Sequence, residues 1–153
     1  MSKETQTGLP GTLTLKTGTW DDLGAMAREV RYTVFVQEQN VPESLELDEF
    51  DSVSLHVLVL DANGHAIGTG RLLPDGHIGR VAVLKPARGQ GVGECIMRAL
   101  IRAAQDQGHT SVELSAQCHA AQFYERLGFK QDGEVYQEAG IAHVFMRCDF
   151  GLV

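Results

Sequence analysis

The chain has 153 residues, of which 43% are hydrophobic and 22% are charged, and its formal net charge is −7 at pH 7. This length and apolar content fit one compact domain and leave no room for a second. The negative charge repels phosphate backbones, so no nucleic acid partner is expected, and any anionic ligand needs a local site.

The cysteines and the apolar runs indicate the compartment. Cys95, Cys118 and Cys148 are widely spaced and include no CxxC pair, which argues against a disulfide framework or a zinc site. No metal is therefore expected. The apolar runs are strand-sized and the first ten residues are polar, so neither a membrane span nor a signal peptide is predicted. We expect a cytoplasmic protein without a membrane partner.

The N-terminal third is predicted to contain a tail, a strand, a helix and a loop. Residues 1–11 are polar and glycine-containing, so we predict a flexible tail before a single domain over 12–153 that starts with a strand near 12–17. Apolar residues then recur every three or four positions, which predicts a helix capped by Asp21 or Asp22, broken near Arg31 and ending near Gln39. Proline and five acidic residues mark residues 41–51 as an exposed loop.

A three-stranded meander follows this loop. A continuous apolar run over 55–60 predicts the first strand, and Asn63-Gly64 is a strong hairpin signal before a second strand over 65–73. Asp75-Gly76 then leads into a third strand over 77–84. The three strands are expected to pair antiparallel.

The C-terminal half alternates helices and strands. The spacing of Val92, Ile96, Leu100 and Ala103 predicts an amphipathic helix that Gly108 ends. The remaining predictions are strands over 111–116, 129–135 and 142–149, and a short helix over 119–127 closed by Gly128. The whole order indicates a mixed α/β (α+β) domain without internal repeats.

One glycine-rich turn lies between a predicted strand and the amphipathic helix. It reads Arg88-Gly89-Gln90-Gly91-Val92-Gly93, and glycines there let a backbone approach a ligand while helix N-terminal amides point at it. An anionic group fits such a turn. A nucleotide-binding loop is not indicated, because Lys and Ser/Thr are missing after Gly93. The alternative is a turn that only joins strand to helix.

Two motifs resemble the GCN5-related N-acetyltransferase (GNAT) family. Arg88, Gly91 and Gly93 match its signature of Arg or Gln, two residues, Gly, one residue, Gly or Ala. The segment from Ala120 to Phe129, which includes Tyr124, is similar to the family's helix that ends in Tyr, two or three residues, Gly and Phe. The element order agrees over almost the whole chain. The resemblance implies a GNAT fold, with a mostly antiparallel central sheet of about six to seven strands flanked by about four helices.

The resemblance also implies the cosubstrate and its contacts. In the family, amides of this turn hold the pyrophosphate of acetyl-coenzyme A, the preceding strand pairs with the pantetheine arm, and a backbone amide near Val83 serves the oxyanion. His119 occupies a position where many relatives carry an Asn that contacts the pantetheine arm, although it can equally be an exposed loop histidine. The implied donor-binding residues are Ala82, Val83, Arg88, Gly89, Gln90, Gly91, Val92, Gly93, His119 and Tyr124.

Acetyl transfer from a thioester to an amine needs a neutral nucleophile and a proton for the departing thiolate. Tyr124 is similar to the family's proton donor, although its ring can also serve packing. Candidate general bases are Glu38 and His56, with Glu113 ranked slightly lower. A catalytic role for Cys118 is not expected, because the family transfers without an acyl-enzyme.

The acceptor side is predicted from the second hairpin. If Asp75-Gly76 is a two-residue loop, Arg71 lies directly opposite Arg80, which is unfavourable unless anions sit between them. Glu38, Asp48 and Asp51 can supply those anions. The pairs either tie the acidic loop to the sheet, which we favour, or mark a site for a substrate carboxylate or phosphate.

Alternatives to an N-acetyltransferase of small amines or peptides remain. Arg31, the 34–36 run, the acidic residues and the 68–74 segment resemble an uncharacterised bacterial acetyltransferase subgroup and also acyl-homoserine lactone synthases, which usually depart from the intact 88–93 signature. A lactone synthase-like acyltransferase and a non-catalytic acyl-CoA-binding module are the other readings. The acidic composition favours a cationic amine, and a homodimer is compatible with the fold.

Overall fold

A computed structural model describes residues 2–4 and 12–151. The α+β class predicted from the sequence is confirmed, with helices of α, π and 3-10 type between strands. The elements are β1 (Ser2–Glu4), β2 (Thr14–Gly18), α1 (Trp20–Arg31), a π-helix (Tyr32–Glu38), α2 (Glu43–Glu46), 3-10 turns at Asp51–Val53, Lys85–Ala87 and Cys118–Ala120, β3 (Leu55–Leu60), β4 (Ala66–Leu72), β5 (Ile78–Val83), α3 (Val92–Asp106), β6 (Ser111–Gln117), α4 (Ala121–Arg126), β7 (Lys130–Gln131), β8 (Tyr136–Glu138) and β9 (Ile141–Asp149).

The strands divide into two antiparallel sheets instead of one central sheet. The first has the order β1-β2-β3-β4-β5, and the second has the order β6-β9-β7 with β8 also paired to β9. Within the described residues the sheets meet at an isolated parallel bridge between His77 and Glu113, where the Glu113 amide donates to Gly76 O at 3.2 Å. Beyond this bridge β5 and β6 separate, which opens a space between them.

Helix α3 packs closely on β4, and two glycines of that strand make the approach possible. A Cβ added at Gly68 would lie 2.9 Å from Ile96 Cδ1, and one at Gly70 would lie 2.9 Å from Leu100 Cδ1. Ile96 and Leu100 are fully buried in the largest core cluster, which also includes Met146 of β9. The helix therefore connects the two sheets through one core and fixes its own first turn beside the end of β5.

The first helix begins and breaks near the predicted positions. Its cap is Thr19 rather than Asp21 or Asp22, because the Thr19 hydroxyl accepts from the amide of Asp22 at 3.3 Å. The break predicted near Arg31 is confirmed, since the chain continues there as a π-helix. Of the tail predicted over residues 1–11, Ser2–Glu4 pairs with β2, and the other residues lie outside the described part of the chain.

Two local predictions are wrong. The 41–51 segment is not simply an exposed loop, because it contains α2 and buries Glu46 and Asp51, whose carboxylates pair with Arg31. The strand predicted over 129–135 is reduced to the two residues of β7. Gly133, with φ of 113°, interrupts it, and the chain then forms β8 and a tight hairpin into β9.

Candidate active site

The space between the diverging strands is a cleft of about 1260 Å³. Its walls come from the π-helix and acidic segment on one side, from β5 and the start of α3 at its base, and from β6, α4 and the β8–β9 hairpin on the other side. Most of the residues predicted for the site line it. These are Glu38, Arg71, Arg80, Ala82, Val83, Arg88, Gly89, Gly91, Val92, Gly93, His119 and Tyr124.

The glycine turn has the backbone geometry that its sequence requires. Gly89 and Gly91 adopt φ of 79° and 82°, the left-handed region that favours glycine. Gly91 is also the N-cap of α3 and contributes no side-chain cap, so amides of the first helical turn remain available to an anion. Gln90 does not line the cleft, and its side chain donates to Pro86 O at 3.4 Å, so a ligand contact there would use its amide.

Arg88 connects the turn to the opposite wall. Its Nη1 and Nη2 each lie 2.7 Å from a carboxylate oxygen of Glu38, and its Nε donates to Val83 O at 2.9 Å. The hydrogen bond from Arg88 is the main cause that lowers the pKa of Glu38; burial opposes it, and the charges of Arg88 and Lys85 lower the pKa further. A carboxylate held this way is a weak base, so the geometry does not favour Glu38 as the catalytic base.

Tyr124 lies against two phenylalanine rings. Its ring makes edge contacts with Phe123, at a centroid distance of 5.0 Å, and with Phe129, at 5.9 Å. Burial raises the pKa of Tyr124 to about 12, so the phenol stays protonated at neutral pH. The hydroxyl makes no hydrogen bond within residues 12–151. The ring therefore serves packing while the hydroxyl is free to donate a proton.

Three polar side chains join the π-helix to the second sheet. Gln39 and Gln117 exchange two amide hydrogen bonds of 3.1 and 2.8 Å, and Gln117 Oε1 also accepts from His119 Nε2 at 2.7 Å. All three side chains line the cleft. His119 therefore lines the cleft, and its Nε2 is engaged by Gln117.

The predicted pairing of Arg71 with Arg80 is wrong by one residue. Arg71 pairs with Gly79, and the register shifts between Thr69 and Arg71. Arg80 occupies the bulge with φ of 52°, a conformation that a non-glycine side chain rarely adopts. The pairing differs because the hairpin loop has three residues, 74–76, instead of the two assumed, as the Leu73 amide donates to His77 O at 2.8 Å.

Arg71 and Arg80 nevertheless converge on one carboxylate. Arg71 grips Asp48 with two hydrogen bonds of 2.7 and 2.8 Å, and Arg80 Nη2 lies 3.2 Å from Asp48 Oδ2. Burial would raise the pKa of Asp48, but the hydrogen bond from Arg71 and the charges of both arginines outweigh it and lower the pKa to about 2. The structural ion pairs favoured from the sequence are thus present, on residues that also line the cleft.

A second carboxylate extends this network into the interior. Asp51 accepts from Arg71 at 2.9 Å and from Arg31 at 2.8 and 3.0 Å, and Arg31 also pairs with Glu46. Arg31, Asp51 and Glu46 are almost completely buried. Charges buried this deeply are tolerated only when paired, so the network fixes the acidic segment against the sheet.

His56 is not at the cleft. Its side chain is 1% exposed, its ring lies 4.8 Å from that of Trp20, and its Nε2 donates to Asp51 O at 2.9 Å. Burial lowers the pKa of His56, which keeps it neutral and structural. Five of the six β3 residues are buried, so this strand gives His56 no open face toward the cleft. The structure therefore removes His56 from the catalytic candidates.

Sequence reasoning missed two residues of the cleft wall. His143 of β9 and Glu138 at the end of β8 both line the cleft, with His143 Nε2 3.8 Å from Glu138 Oε2. The hairpin between them turns at Ala139 and Gly140, with φ of 52° and 75°. The Ala139-Gly140 pair between two strand-like runs is the sequence signal for this turn.

Glu113, the lower-ranked base candidate, is engaged elsewhere. Its carboxylate lies 3.1 Å from His77 Nε2 and 3.2 Å from Arg147 Nη1. Among the residues that the structure describes, no three His, Cys, Asp or Glu side chains form a group that could hold a metal ion. No helix in the same residues is both long and apolar enough to cross a lipid bilayer.

Known proteins share this architecture. The family profile of the acetyltransferase (GNAT) domain matches residues 20–150. The Bacillus subtilis N-acetyltransferase YjcF, itself uncharacterised, is 42% identical over 124 residues, which is 78% of this chain and 88% of that protein. A crystal structure of an acyl-CoA N-acyltransferase from Pseudomonas aeruginosa superposes with a TM-score of 0.80 and 35% identity, covering 89% of this chain and 99% of that one.

Escherichia coli ElaA is similar in both sequence and structure. Its sequence is 33% identical over 126 residues, covering 77% of this chain and 82% of ElaA. Its crystal structure gives a TM-score of 0.81 at 29% identity over 88% of this chain and 99% of that one. The family profile covers most of the chain, and these likenesses in sequence and structure agree with it. The chain therefore belongs to the GNAT acetyltransferase family and is an acyltransferase.

Proposed function

We propose that this enzyme transfers an acetyl group from acetyl-CoA directly to a primary amine of a small molecule or peptide, with Tyr124 as the general acid. The observation that carries the proposal is a neutral phenol, with its pKa raised to about 12, in the same cleft as an open helix N-terminus. The helix start suits an anionic donor, and the phenol suits a leaving thiolate.

The glycine turn is proposed to hold the donor's pyrophosphate. Amides from Gly89 to Gly93 can donate to it without a side chain in the way, and the partial positive charge of the helix start adds to their effect. Arg88 keeps the turn joined to Val83 O at the end of β5. The methyl group of Ala82 is buried in a cluster with Val30, so a ligand in the cleft would contact its backbone.

In the proposed reaction, one group, Tyr124, donates a proton and then regains one. When bound, acetyl-CoA supplies the activated acetyl group as a thioester. The neutral amine attacks the carbonyl carbon and the carbon–sulfur bond breaks. Tyr124 donates its phenolic proton to the departing sulfur, and the phenolate takes back a proton from the amine nitrogen, which ends as the amide nitrogen. A backbone amide near Val83 would stabilise the oxyanion that forms in between.

A second candidate function rests on the ionic network. Arg31, Asp48, Asp51 and Arg71 are joined by hydrogen bonds, and Phe35 lines the cleft beside them. These positions carry the resemblance to acyl-homoserine lactone synthases. Turnover of S-adenosylmethionine with acyl donors would favour this function, whereas the intact glycine turn favours coenzyme A as the donor carrier.

Two measurements test the proposal. Calorimetry with acetyl-CoA should show stoichiometric binding that depends on the glycine turn, and failure of folded protein to bind it would refute the proposal. A panel of amines, amino acids, antibiotics and peptides, assayed for acetyl-CoA-dependent release of free thiol, should then identify an acceptor. Binding without turnover of any acceptor would instead support a non-catalytic acyl-CoA-binding module.

The proposed compartment is the cytoplasm. Cys95, Cys118 and Cys148 are all free, which suits a reducing environment. Burial raises the pKa of the Cys95 and Cys148 thiols, so neither is an activated nucleophile. This supports direct transfer without an acyl-enzyme.

A further inference from the structure

We infer that His143 is the general base that deprotonates the acceptor amine, an inference that rests on the proposed transfer to a primary amine. Such an amine is largely an ammonium ion at neutral pH and must lose a proton before it can attack a thioester. The three carboxylate and imidazole groups considered from the sequence cannot readily accept it. Glu38 is held by Arg88, His56 is buried away from the cleft, and Glu113 is held by His77 and Arg147.

The hydrogen bond of His143 Nδ1 sets which ring nitrogen is basic. Nδ1 lies 2.7 Å from the backbone oxygen of Ile141. A carbonyl oxygen only accepts, so Nδ1 must carry the proton, and Nε2 of the neutral ring then carries a lone pair. A histidine oriented in this way by its Nδ1–H has a base at Nε2.

The Nε2 atom is open to the cleft. It makes no hydrogen bond within residues 12–151, because the nearest carboxylate oxygen, Glu138 Oε2, is 3.8 Å away. Within the described residues, Arg71 Nε is the one side-chain nitrogen or oxygen that is both fully buried and without a hydrogen-bond partner. His143 Nε2 also lacks a hydrogen-bond partner there, so it is not fully buried. Although the whole residue is only 6% exposed, it is part of the cleft lining. Its free nitrogen is therefore presented to a ligand in the cleft.

The ring is fixed in place by its neighbours. Tyr136 stacks on it at a centroid distance of 6.0 Å and an interplanar angle of 24°, and the Tyr136 hydroxyl hydrogen-bonds to Ser115 of β6. His143 also pairs in register with Gln117, whose side chain is tied to Gln39 across the cleft. A base must be positioned before its basicity matters, and this packing positions it.

Glu138 completes the arrangement at the rim. Its carboxylate is 58% exposed and 3.8 Å from His143 Nε2, so a cationic amine entering the cleft meets a negative charge beside the base. After proton transfer the same carboxylate faces the imidazolium. Because Glu138 is exposed and solvent screens it, its effect is expected to be modest and to fall with ionic strength.

The proton balance is complete with this residue. The ammonium gives one proton to His143 Nε2, and the neutral amine then reacts as described for Tyr124. The imidazolium returns its proton to solvent, so each turnover converts an ammonium and a thioester into an amide, a thiol and one released proton. No oxidant, reductant or metal is required.

The experiment compares His143→Gln with His65→Gln, a matched change at an exposed histidine outside the cleft. With the acceptor identified by the thiol-release panel, we expect His143→Gln to lower kcat/KM for the acceptor by about 10²–10⁴-fold. Its affinity for acetyl-CoA by calorimetry should match the wild type. Imidazole added to His143→Ala should restore part of the rate, which a merely structural role would not predict. A His143→Gln enzyme with wild-type turnover would overturn the inference.

Nitrogen-15 NMR of the wild type gives a readout that does not depend on turnover. We expect Nε2 of His143 to resonate as an unprotonated nitrogen and Nδ1 as a protonated one. The opposite assignment overturns the inference, even if the protein acetylates amines normally. If the assignment is as expected but acetyl-CoA does not bind, the proposed function fails instead, so the two failures can be distinguished.

Discussion

Glu38 of the π-helix and Arg88 of the glycine turn form a two-pronged ion pair, with both N–O distances 2.7 Å. This ion pair joins the π-helix, on one wall of the cleft, to Arg88, the first residue of the glycine turn. It gives Glu38 a positional role, because the guanidinium that orients the carboxylate also lowers its pKa. A planar guanidinium and a planar carboxylate can form two parallel charged hydrogen bonds, which is a strong and well-oriented type of ion pair.

Replacing Glu38 by Gln separates the positional role from a catalytic one. Loss of a general base would cost about 10²–10⁴-fold in kcat. We expect instead a far smaller change in kcat and a rise in the KM for acetyl-CoA, because Arg88 loses its partner beside the turn. Steady-state kinetics of Glu38→Gln against Glu29→Gln, a change on the preceding helix, measure this. A collapse in kcat at unchanged KM would restore Glu38 as the base.

Replacing Tyr124 by Phe removes the hydroxyl and keeps the ring contacts with Phe123 and Phe129. We expect kcat to fall by about 10²-fold or more, with acetyl-CoA affinity nearly unchanged. Tyr32→Phe, at an exposed tyrosine outside the cleft, should have no effect. Since the pKa of Tyr124 is raised to about 12, the wild-type rate should show no loss from phenol ionisation below about pH 10. Unchanged turnover in Tyr124→Phe would exclude it as the acid.

Gly91 and Gly93 differ in what an added methyl group would do. Gly91 has φ of 82°, so Gly91→Ala should destabilise the fold by about 1–2 kcal/mol and weaken acetyl-CoA binding. A Cβ at Gly93 would meet Phe123 Cζ at 3.4 Å, an ordinary contact, so Gly93→Ala should leave stability unchanged or slightly higher. Urea unfolding and calorimetry of both variants test this contrast. Equal stabilities would show that the turn is not conformationally constrained.

The Asp48 network makes stability depend on acid. The pKa of Asp48 is about 2 in the folded protein and about 3.9 in an unfolded chain, so the unfolded state binds more protons between these values. The contribution is fully present above about pH 5 and is lost as pH falls toward 2, by about 2 kcal/mol in total. Urea unfolding from neutral to acidic pH should therefore show a steeper loss for the wild type than for Asp48→Asn. Asp106→Asn, at an exposed site, should keep the wild-type slope, and parallel slopes for all three proteins would contradict the assignment.

Sequence reasoning succeeded where a motif is local. The glycines of the turn require positive φ, and Tyr124 follows a strand at a fixed separation, so both could be placed by counting along the chain. The break in α1 near Arg31 was also predictable, since the buried periodicity changes there. These features depend on neighbouring residues in the sequence. The glycine turn and Tyr124 both line the cleft.

The failures arise from turn geometry and from contacts between strands, which residue patterns do not reveal. The β4–β5 hairpin closes with a three-residue loop, 74–76, where two residues were expected, so Arg71 pairs with Gly79 instead of Arg80. His56 lies on a strand covered on both faces, so alternation along β3 could not show which way it points. His143 reaches the cleft through the pairing of β9 with β6, where it lies opposite Gln117, and its neighbours in sequence do not reveal that pairing.

The separation of β5 from β6 leaves each sheet with an unpaired edge that faces inward. An exposed edge normally invites another chain to add a strand, which risks aggregation. Here the two edges face each other across a cleft of about 1260 Å³, where a narrow amide-bearing ligand can reach them more easily than a second protein can. If acetyl-CoA binds between these edges as proposed, hydrogen exchange along β5 should be slower in its presence than in its absence.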